Sequence, residues 1–226
     1  MSQKSYDGTP TLYLVPTPIG NLEDITLRSI NTLKKVSAIF SEDTRVTGKL
    51  LKELGIKNKL ISSHEYNEEN TKEEVLKYLQ LANDVAVVTD RGTPIISDPG
   101  YKIVKYVIDM GYNVVSLPGP TALIPALTVS GISPSPFLFY GFLNSKTSKR
   151  KKELEDLKRS NYTMIFYEAP HRIFESLEDI NSVLGNRKIS ISREISKKFE
   201  EVYRGFVIDV QKDVVNVKGE IVIVVS

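Results

Sequence analysis

The segment DVAVVTD, residues 84–90, constrains the fold more than any other part of the chain. Its apolar residues follow one another without a break, whereas a strand with one face in water alternates apolar and polar residues. An uninterrupted run of this kind is typical of a strand buried on both faces, as in a parallel sheet covered by helices. The segment therefore predicts a central parallel strand in an α/β domain.

Short apolar runs and longer stretches of helical periodicity alternate on both sides of this segment. Such alternation favours strand–helix–strand units joined by right-handed crossovers. Residues 1–117 are therefore predicted to form an N-terminal α/β domain with a parallel sheet. The predicted strands are 11–17, 38–41, 84–90 and 113–119, and the predicted helices are 26–35, 46–54, 67–82 and 101–110.

The pattern changes after the LPGPTA segment, so residues 118–226 are predicted to form a second α/β domain. A helix rich in lysine and arginine separates its first two strands. The last three strands follow each other with no helix expected between them, which favours a mixed sheet. The predicted strands are 137–143, 162–168, 187–194, 201–210 and 219–225, and further helices are predicted at 121–129 and 171–184.

Composition excludes some classes of protein and of site. The chain has no cysteine, and its two histidines, His64 and His171, are far apart, so neither disulfides nor a structural zinc site is expected. The N-terminus lacks the apolar core of a signal peptide, and no apolar stretch is long enough to span a membrane. A cytoplasmic protein is expected. The net charge of +2 does not by itself indicate a nucleic-acid-binding protein.

Three loops at the carboxyl ends of predicted strands are candidate ligand sites, since ligands of open α/β sheets bind there. They are 15–21 (VPTPIGN), 89–101 (TDRGTPIISDPGY) and 117–122 (LPGPTA). The first contains no GxGxxG pattern, so a dinucleotide phosphate site is not predicted, and a stiff proline turn explains it better when it is taken alone.

The other two loops carry polar side chains with two interpretations each. Asp90 ends a buried strand, which favours a functional role, and Gly92 lets a ligand approach the backbone closely. Asp98 is equally well explained as a helix cap before Gly100. Thr121 opens a helix, so it fits both a cap and a ligand contact.

Two clusters of charged residues also follow strands. SEDTRV, residues 41–46, contains Glu42, Asp43 and Arg45, for which a solvated helix start and a functional role are equally plausible. FYEAPHRI, residues 166–173, contains Glu168, His171 and Arg172. A single histidine in such a place is more often a surface residue than a general base.

The segment NSKTSKRKKELEDLKRS, residues 144–160, holds seven Lys or Arg residues and three acidic ones. A solvated helix with internal ion pairs is the usual explanation of such a run. Its first half has no compensating acid, however, and a local cationic excess of this kind suits contact with phosphates. Lys146, Lys149 and Arg150 are therefore candidate phosphate contacts.

Taken together, these motifs resemble those of one family. LYLVPTPIGNLEDIT, SEDTR, VVTDRGTPIISDPGY, LPGPTA, GFL, IFYEAPHR, RE and KGEIVIVV occur in the order found in the ribosomal RNA small subunit methyltransferase I family, which belongs to the tetrapyrrole methylase superfamily. The resemblance covers residues 11–225. Two departures stand out: Arg91 replaces the alanine usual in the family, and the C-terminal helical extension common in the family is absent.

The resemblance implies a two-domain α/β methylase that binds S-adenosylmethionine in a cleft between the domains and forms a homodimer. It implies 2′-O-methylation of a cytidine in the decoding region of 16S rRNA in the small ribosomal subunit. It further implies that RNA is faced by the basic segment, with Lys146, Lys149 and Arg150, and by Arg45, Arg172 and Arg193. The implied contacts of the methyl donor are Pro16, Asp90, Gly92, Thr93, Pro94, Ile95, Thr121, Ala122 and Tyr167.

This reaction needs a group that accepts the proton of a weakly nucleophilic hydroxyl, and it needs no metal. The candidate bases are Glu42, Asp43, Asp98 and Glu168, with His171 ranked below them. Two alternatives stay open. One is a methyltransferase of the same fold that acts on a small tetrapyrrole, and the other is a non-catalytic ribosome-assembly factor.

Overall fold

The computed structural model describes residues 3–214 and 218–226, and the chain divides into two compact units, Met1–Thr121 and Ala122–Ser226. Sequence patterns placed the boundary of the domains after residue 117. Among the described residues, no helix is both long and apolar enough to cross a membrane.

The first unit is a parallel five-stranded sheet with helices on both faces, in the strand order β3-β2-β4-β1-β5. The strands are β1 (Thr11–Leu14), β2 (Ala38–Ser41), β3 (Leu60–Ser62), β4 (Val85–Val88) and β5 (Asn113–Ser116). The helices are α1 (Leu27–Lys35), α2 (Thr44–Glu53), α3 (Glu68–Gln80) and α4 (Tyr101–Asp109).

Strand β4 shows why this sheet is buried on both sides. Val85 and Val87 point into a cluster formed with α3 and α4, whereas Ala86 and Val88 point into a cluster formed with α1 and α2. Successive side chains of a strand face opposite ways, so an apolar run supplies both clusters at once. The prediction of a central parallel strand is confirmed.

The second unit contains a mixed five-stranded sheet in the order β6-β7-β10-β8-β9, in which the neighbours β6 and β7 pair in parallel and the other neighbours pair antiparallel. Its strands are β6 (Phe137–Phe142), β7 (Thr163–Glu168), β8 (Lys188–Arg193), β9 (Glu201–Phe206) and β10 (Ile221–Val225). Its helices are α5 (Leu123–Val129), α6 (Thr147–Leu157), α7 (Ile173–Leu184) and α8 (Val207–Asp213). The predicted α/β class, with one parallel and one mixed sheet, is confirmed.

Two details of the sequence-based prediction were wrong. The strand predicted over residues 201–210 ends at Phe206, and helix α8 follows it. Val207 and Val210 are both buried in the core beneath α8, and their three-residue spacing is that of one helix face. The short edge strand β3 was not predicted, because three half-exposed residues carry too weak a pattern.

Candidate active site

Acidic side chains meet at the carboxyl ends of β2 and β4, which are neighbours in the first sheet. Glu42 follows β2 directly, and its Oε2 accepts a hydrogen bond from the Asp90 N–H at 3.4 Å. Asp90 in turn accepts one from the Asp43 N–H at 3.1 Å. The two strand ends are thereby tied together through carboxylates.

A third carboxyl group, Asp98, has the most altered acidity of the three. Burial, followed by the negative charges of Glu42 and Asp90, raises its pKa from 3.8 to about 7. A hydrogen bond from the Thr89 side chain acts in the opposite direction. A carboxyl group with a pKa near neutrality can accept a proton at physiological pH and release it again, as a general base must.

The pKa values of Glu42 and Asp90 are raised as well. Burial is the main cause for both, and neighbouring carboxylates add to it. Like charges that share a partly buried site disfavour one another's ionisation. Asp98 has the largest shift of the three, because burial raises its pKa and the charges of Glu42 and Asp90 raise it further.

The loops that follow β1, β4 and β5 form one connected structure. Thr17 and Gly92 exchange both backbone hydrogen bonds, at 2.9 and 3.0 Å, in an isolated antiparallel bridge. The Thr93 hydroxyl donates to the Pro120 carbonyl at 3.0 Å. The structure therefore brings together most of the predicted donor contacts within the first unit: Pro16, Asp90, Gly92, Thr93, Pro94, Ile95 and Thr121.

The loop between β4 and α4 is held in an unfavourable backbone conformation. Ile95 has φ +78° and Ser97 has φ +66°, although a β-branched residue with positive φ is a rare exception. Such conformations cost on the order of 1–3 kcal/mol each and cluster at ligand sites. The strain marks this loop, rather than the proline turn at residues 15–21, as the main candidate for ligand contact.

Gly119 lets the first and third loops approach closely. A Cβ atom at this position would lie 2.6 Å from Cβ and 2.8 Å from Cγ of Pro16, whose ring cannot move aside easily. We expect Gly119→Ala to lower the free energy of unfolding by about 1–3 kcal/mol, as overpacking usually does. Chemical denaturation measures this. The control is Gly48→Ala, since a Cβ there meets only Leu60 at 3.6 Å; equal stability of the two variants would contradict the expected clash.

The helix-cap interpretations of Asp98 and Thr121 were wrong. Helix α4 is capped by Gly100 without a side-chain bond, and α5 begins at Leu123 after Ala122. Asp43, by contrast, caps α2: its carboxylate accepts from the Arg45 N–H at 2.8 Å and pairs with the Arg45 guanidinium. Hydrogen bonds from Arg45 lower the pKa of Asp43 to about 2, so this candidate base has little affinity for a proton.

Glu168 is also fully engaged. It is 3% exposed, and its Oε1 accepts from the Ala169 N–H at 2.7 Å and from Arg172, while Oε2 accepts from the Ser176 hydroxyl. These bonds fix the turn between β7 and α7. The carboxylate thus has a structural role in the second unit, whereas His171, next to this turn, is exposed.

The structure corrects one predicted RNA contact. Arg150 is completely buried and donates to Asp179 at 2.7 Å, and Lys151 lies 3.4 Å from the same carboxylate. A guanidinium with no exposed surface cannot reach a phosphate. The α6 register explains the error, because Arg150 and Leu154 lie one turn apart on the face that packs inward. Lys146 and Lys149 are exposed.

The other predicted RNA-facing arginines differ in exposure. The Arg45 side chain is 86% exposed, whereas those of Arg172 and Arg193 are each 17% exposed. Arg172 pairs with Glu168 at 2.7 Å, and Arg193 pairs with Glu201 at 3.0 Å. Arg45 therefore presents the most accessible guanidinium of these three.

The two remaining donor candidates, Ala122 and Tyr167, belong to the second unit, where both pack against the core beneath α5. The Tyr167 ring lies edge-on to Phe139 and to Phe142, with centroids 5.0 and 5.6 Å apart. The Phe142 ring is 53% exposed. Aromatic surface is therefore available at the carboxyl ends of β6 and β7.

Sequence patterns missed residues that shape the first unit's loops. The Thr17 hydroxyl donates to the Thr89 carbonyl at 3.1 Å in a buried position. Glu68 is only 6% exposed and accepts a hydrogen bond from the Gly100 N–H. An acidic residue at a helix start looks like ordinary dipole stabilisation, so no sequence signal distinguishes Glu68.

In residues 3–214 and 218–226, no group of three His, Cys, Asp or Glu side chains is placed to hold a metal ion.

Comparison with known proteins identifies the family of the chain. The sequence profile of the tetrapyrrole (corrin/porphyrin) methylases matches residues 11–211. The ribosomal RNA small subunit methyltransferase I of Bacillus subtilis is 50% identical over 211 residues, which cover 92% of this chain and 72% of that protein. The protein of the same name from Vibrio cholerae is 46% identical over 87% of this chain and 68% of its own length.

A solved structure has the same fold. The uroporphyrin III C-methyl transferase of Thermus thermophilus superimposes with a TM-score of 0.65 at 17% identity, covering 96% of this chain and 97% of its own. At that identity the likeness concerns the fold alone. The chain is a methyltransferase of the tetrapyrrole methylase family and belongs, within it, to the ribosomal RNA small subunit methyltransferase I family.

Proposed function

We propose that this enzyme transfers the methyl group of S-adenosylmethionine to the 2′-hydroxyl of a cytidine in the decoding region of 16S rRNA. The observation that carries the proposal is the 50% identity to the Bacillus subtilis enzyme over 92% of the chain, since the name of that relative specifies small-subunit ribosomal RNA. The acceptor atom and its position in the RNA come from the family resemblance of the sequence motifs.

The residues of the first unit suit a bound methyl donor. Gly119 lets the loop after β5 pack directly on Pro16, Gly92 supplies a backbone with φ +81°, and the strained Ile95 fixes the direction of its own main chain. We assign Pro16, Asp90, Gly92, Thr93, Pro94, Ile95 and Thr121 of this unit, with Ala122 and Tyr167 of the second, to donor contacts. The donor supplies an electrophilic methyl group on a sulfonium sulfur.

Asp98 is the residue we assign as general base. The ribose oxygen forms a bond to the methyl carbon as the carbon–sulfur bond breaks, and the hydroxyl proton passes to the Asp98 carboxylate. Burial keeps the pKa of that carboxyl group high, and the charges of Glu42 and Asp90 add to this effect. Asp43 and Glu168 are left out of this role, because a cap and an ion pair already occupy their oxygens.

The test is methyl transfer from labelled S-adenosylmethionine to small ribosomal subunits from a strain that lacks the gene, followed by mapping of the modified nucleotide. We expect label on one ribose in the decoding region. Label on a base, or on tetrapyrrole substrates only, would refute the proposal. Donor binding measured in parallel separates an inactive binder from a catalyst that needs another RNA state.

Exposed lysines at the start of α6 are the proposed RNA contacts of the second unit. We expect the Lys146→Ala/Lys149→Ala double variant to weaken RNA binding equally for different sequences, and to reduce the slope of log K against log salt by about one for each lost phosphate contact. Measuring the RNA affinity of both proteins at salt concentrations from about 50 to about 200 mM checks this, because phosphate contacts weaken strongly over that range.

The matched control for these lysines is Lys212→Ala on α8, whose side chain is 71% exposed in the same unit. It removes one surface charge without touching α6. A salt slope unchanged in the double variant, or reduced as much by Lys212→Ala, would exclude a specific role for the start of α6.

A further inference from the structure

Glu68, the first residue of α3, is a buried carboxylate that the proposed mechanism does not use. Its side chain is 6% exposed, and Oε1 accepts a hydrogen bond from the Gly100 N–H at 2.7 Å. A buried carboxylate is costly unless hydrogen bonds compensate it. The Gly100 amide is therefore a contact on which the placement of Glu68 depends.

This hydrogen bond fixes one end of the strained loop. Gly100 caps α4 and lies two residues after Asp98, while the other end of the loop is fixed by the Thr17–Gly92 bridge and by the bond from Thr93 to Pro120. Between these two attachments lie Ile95 and Ser97, both with positive φ. Strained conformations persist only where the surroundings determine them, so each attachment matters.

We propose that Glu68 is a positioning residue, which holds the loop of residues 93–100 so that Asp98 stays beside Glu42 and Asp90. This inference rests on the proposed function, because it takes Asp98 as the base. Glu68 lies on a helix rather than on the loop, and the buried contact is made to the backbone. It therefore acts on the geometry of the loop and touches no reacting atom.

Loss of this contact should affect Asp98 in a specific way. The groups that face Asp98 are Glu42 from the β2–α2 connection, and Asp90 and Thr89 from the end of β4. Without the Glu68 bond the loop relaxes, and Asp98 moves toward water and away from the two carboxylates. Its pKa then falls from about 7 toward 3.8.

The experiment compares Glu68→Ala, Glu68→Met and Glu68→Gln with the wild-type protein. Gln keeps an Oε1 acceptor for the Gly100 N–H, whereas Met keeps the bulk of the side chain without a strong acceptor. We expect Ala and Met to lower kcat about 10- to 100-fold with little change in KM for RNA, as displacement of a catalytic group does. We expect Gln to restore most of kcat.

A readout independent of activity separates this inference from the proposed function. Titration of the Asp98 carboxyl by NMR in the protein without substrates should give a lower pKa in Glu68→Ala and Glu68→Met, and a near wild-type value in Glu68→Gln. Unchanged Asp98 titration in folded Ala and Met variants would overturn the inference, whether or not the wild-type protein methylates RNA.

The control variant is Glu69→Gln. Glu69 is exposed and pairs with Lys102 on α4 at 3.3 Å, so its replacement weakens a surface contact between α3 and α4 but not the bond to Gly100. We expect wild-type kcat and wild-type Asp98 titration. A shift in Glu69→Gln equal to that in Glu68→Met would mean that helix packing, not the Glu68 hydrogen bond, controls the loop.

Discussion

The Asp98→Asn variant is expected to lose about 100-fold or more in kcat, since a positioned general base contributes on the order of 10²–10⁴. Asn keeps the size of the side chain and its capacity to accept a hydrogen bond, so donor and RNA affinities should change little. Single-turnover methyl transfer at saturating donor and RNA measures the effect. In the wild-type enzyme, activity should rise with pH through about 7, because the base must lose its proton to act.

The same variant should be more stable than the wild type at pH 8. The folded-state pKa of Asp98 is raised to about 7 from 3.8, so the folded protein keeps this proton where the unfolded chain has lost it. The free energy of unfolding of the wild type therefore falls as pH rises from about 4 to about 7. Removing this titration adds on the order of 1–2 kcal/mol above pH 7, after allowance for solvent screening.

The control is Asp109→Asn, which removes an exposed carboxylate of α4 that pairs with Lys105. It should change neither kcat nor the pH dependence of stability. If Asp98→Asn kept kcat within a few-fold of the wild type with both substrates bound, Asp98 would not be the base. Glu42, whose pKa is also raised by burial, would then be the next carboxylate to replace.

The Arg150→Ala variant is expected to lose about 3–5 kcal/mol of stability, because it leaves the Asp179 carboxylate buried without its main partner. The Arg150 side chain has no exposed surface and Asp179 is 6% exposed, so water cannot replace the guanidinium fully. The guanidinium also reaches the carbonyls of Asn144 and Ser145, both at 3.4 Å, which ties the segment before α6 to that helix. Such a loss is a large part of the stability of most proteins.

Equilibrium denaturation in urea measures this change, with Lys149→Ala as the control from the neighbouring exposed position. Lys151, 3.4 Å from Asp179, sets the lower end of the expected range, since it offers a second cation. The Arg150→Met/Asp179→Leu double variant should recover much of the stability, as apolar replacements of buried ion pairs often do. A loss below 1 kcal/mol in Arg150→Ala, roughly the effect of a surface pair, would show that the pair contributes little.

Sequence patterns predicted what depends on local regularity. The continuous apolar run of β4 indicates a strand buried on both faces, and β4 is buried on both faces in the structure. The segment after Phe206 was predicted wrongly because valine and isoleucine favour strands by propensity, while the buried pair Val207 and Val210 is satisfied by a helix. Tertiary packing therefore favours the helix over the strand at this segment.

The site was only partly predictable for a related reason. Asp90 and Asp98 were proposed because they stand in loops at strand ends. The pKa of Asp98, however, depends first on burial and then on Glu42, which the sheet brings close, and neither is visible in the sequence. Lysine and arginine count alike in a basic run, so the sequence gives no sign that Arg150 turns inward while Lys149 faces water. The role of Asp43 as the N-cap of α2 likewise becomes clear only from the backbone of that helix.

The connected loops of the first unit also determine when its proposed donor contacts can come together during synthesis. The bridge between Thr17 and Gly92, and the contact of Pro16 with Gly119, join segments that lie far apart in the chain. Contacts of such long sequence separation form late, because the entropy of closing the chain must be met first. A nascent chain that has not yet produced β5 has the SEDTR segment and the β4 loop but no complete site. Binding of S-adenosylmethionine at the proposed site would therefore require a folded first unit and would stabilise it.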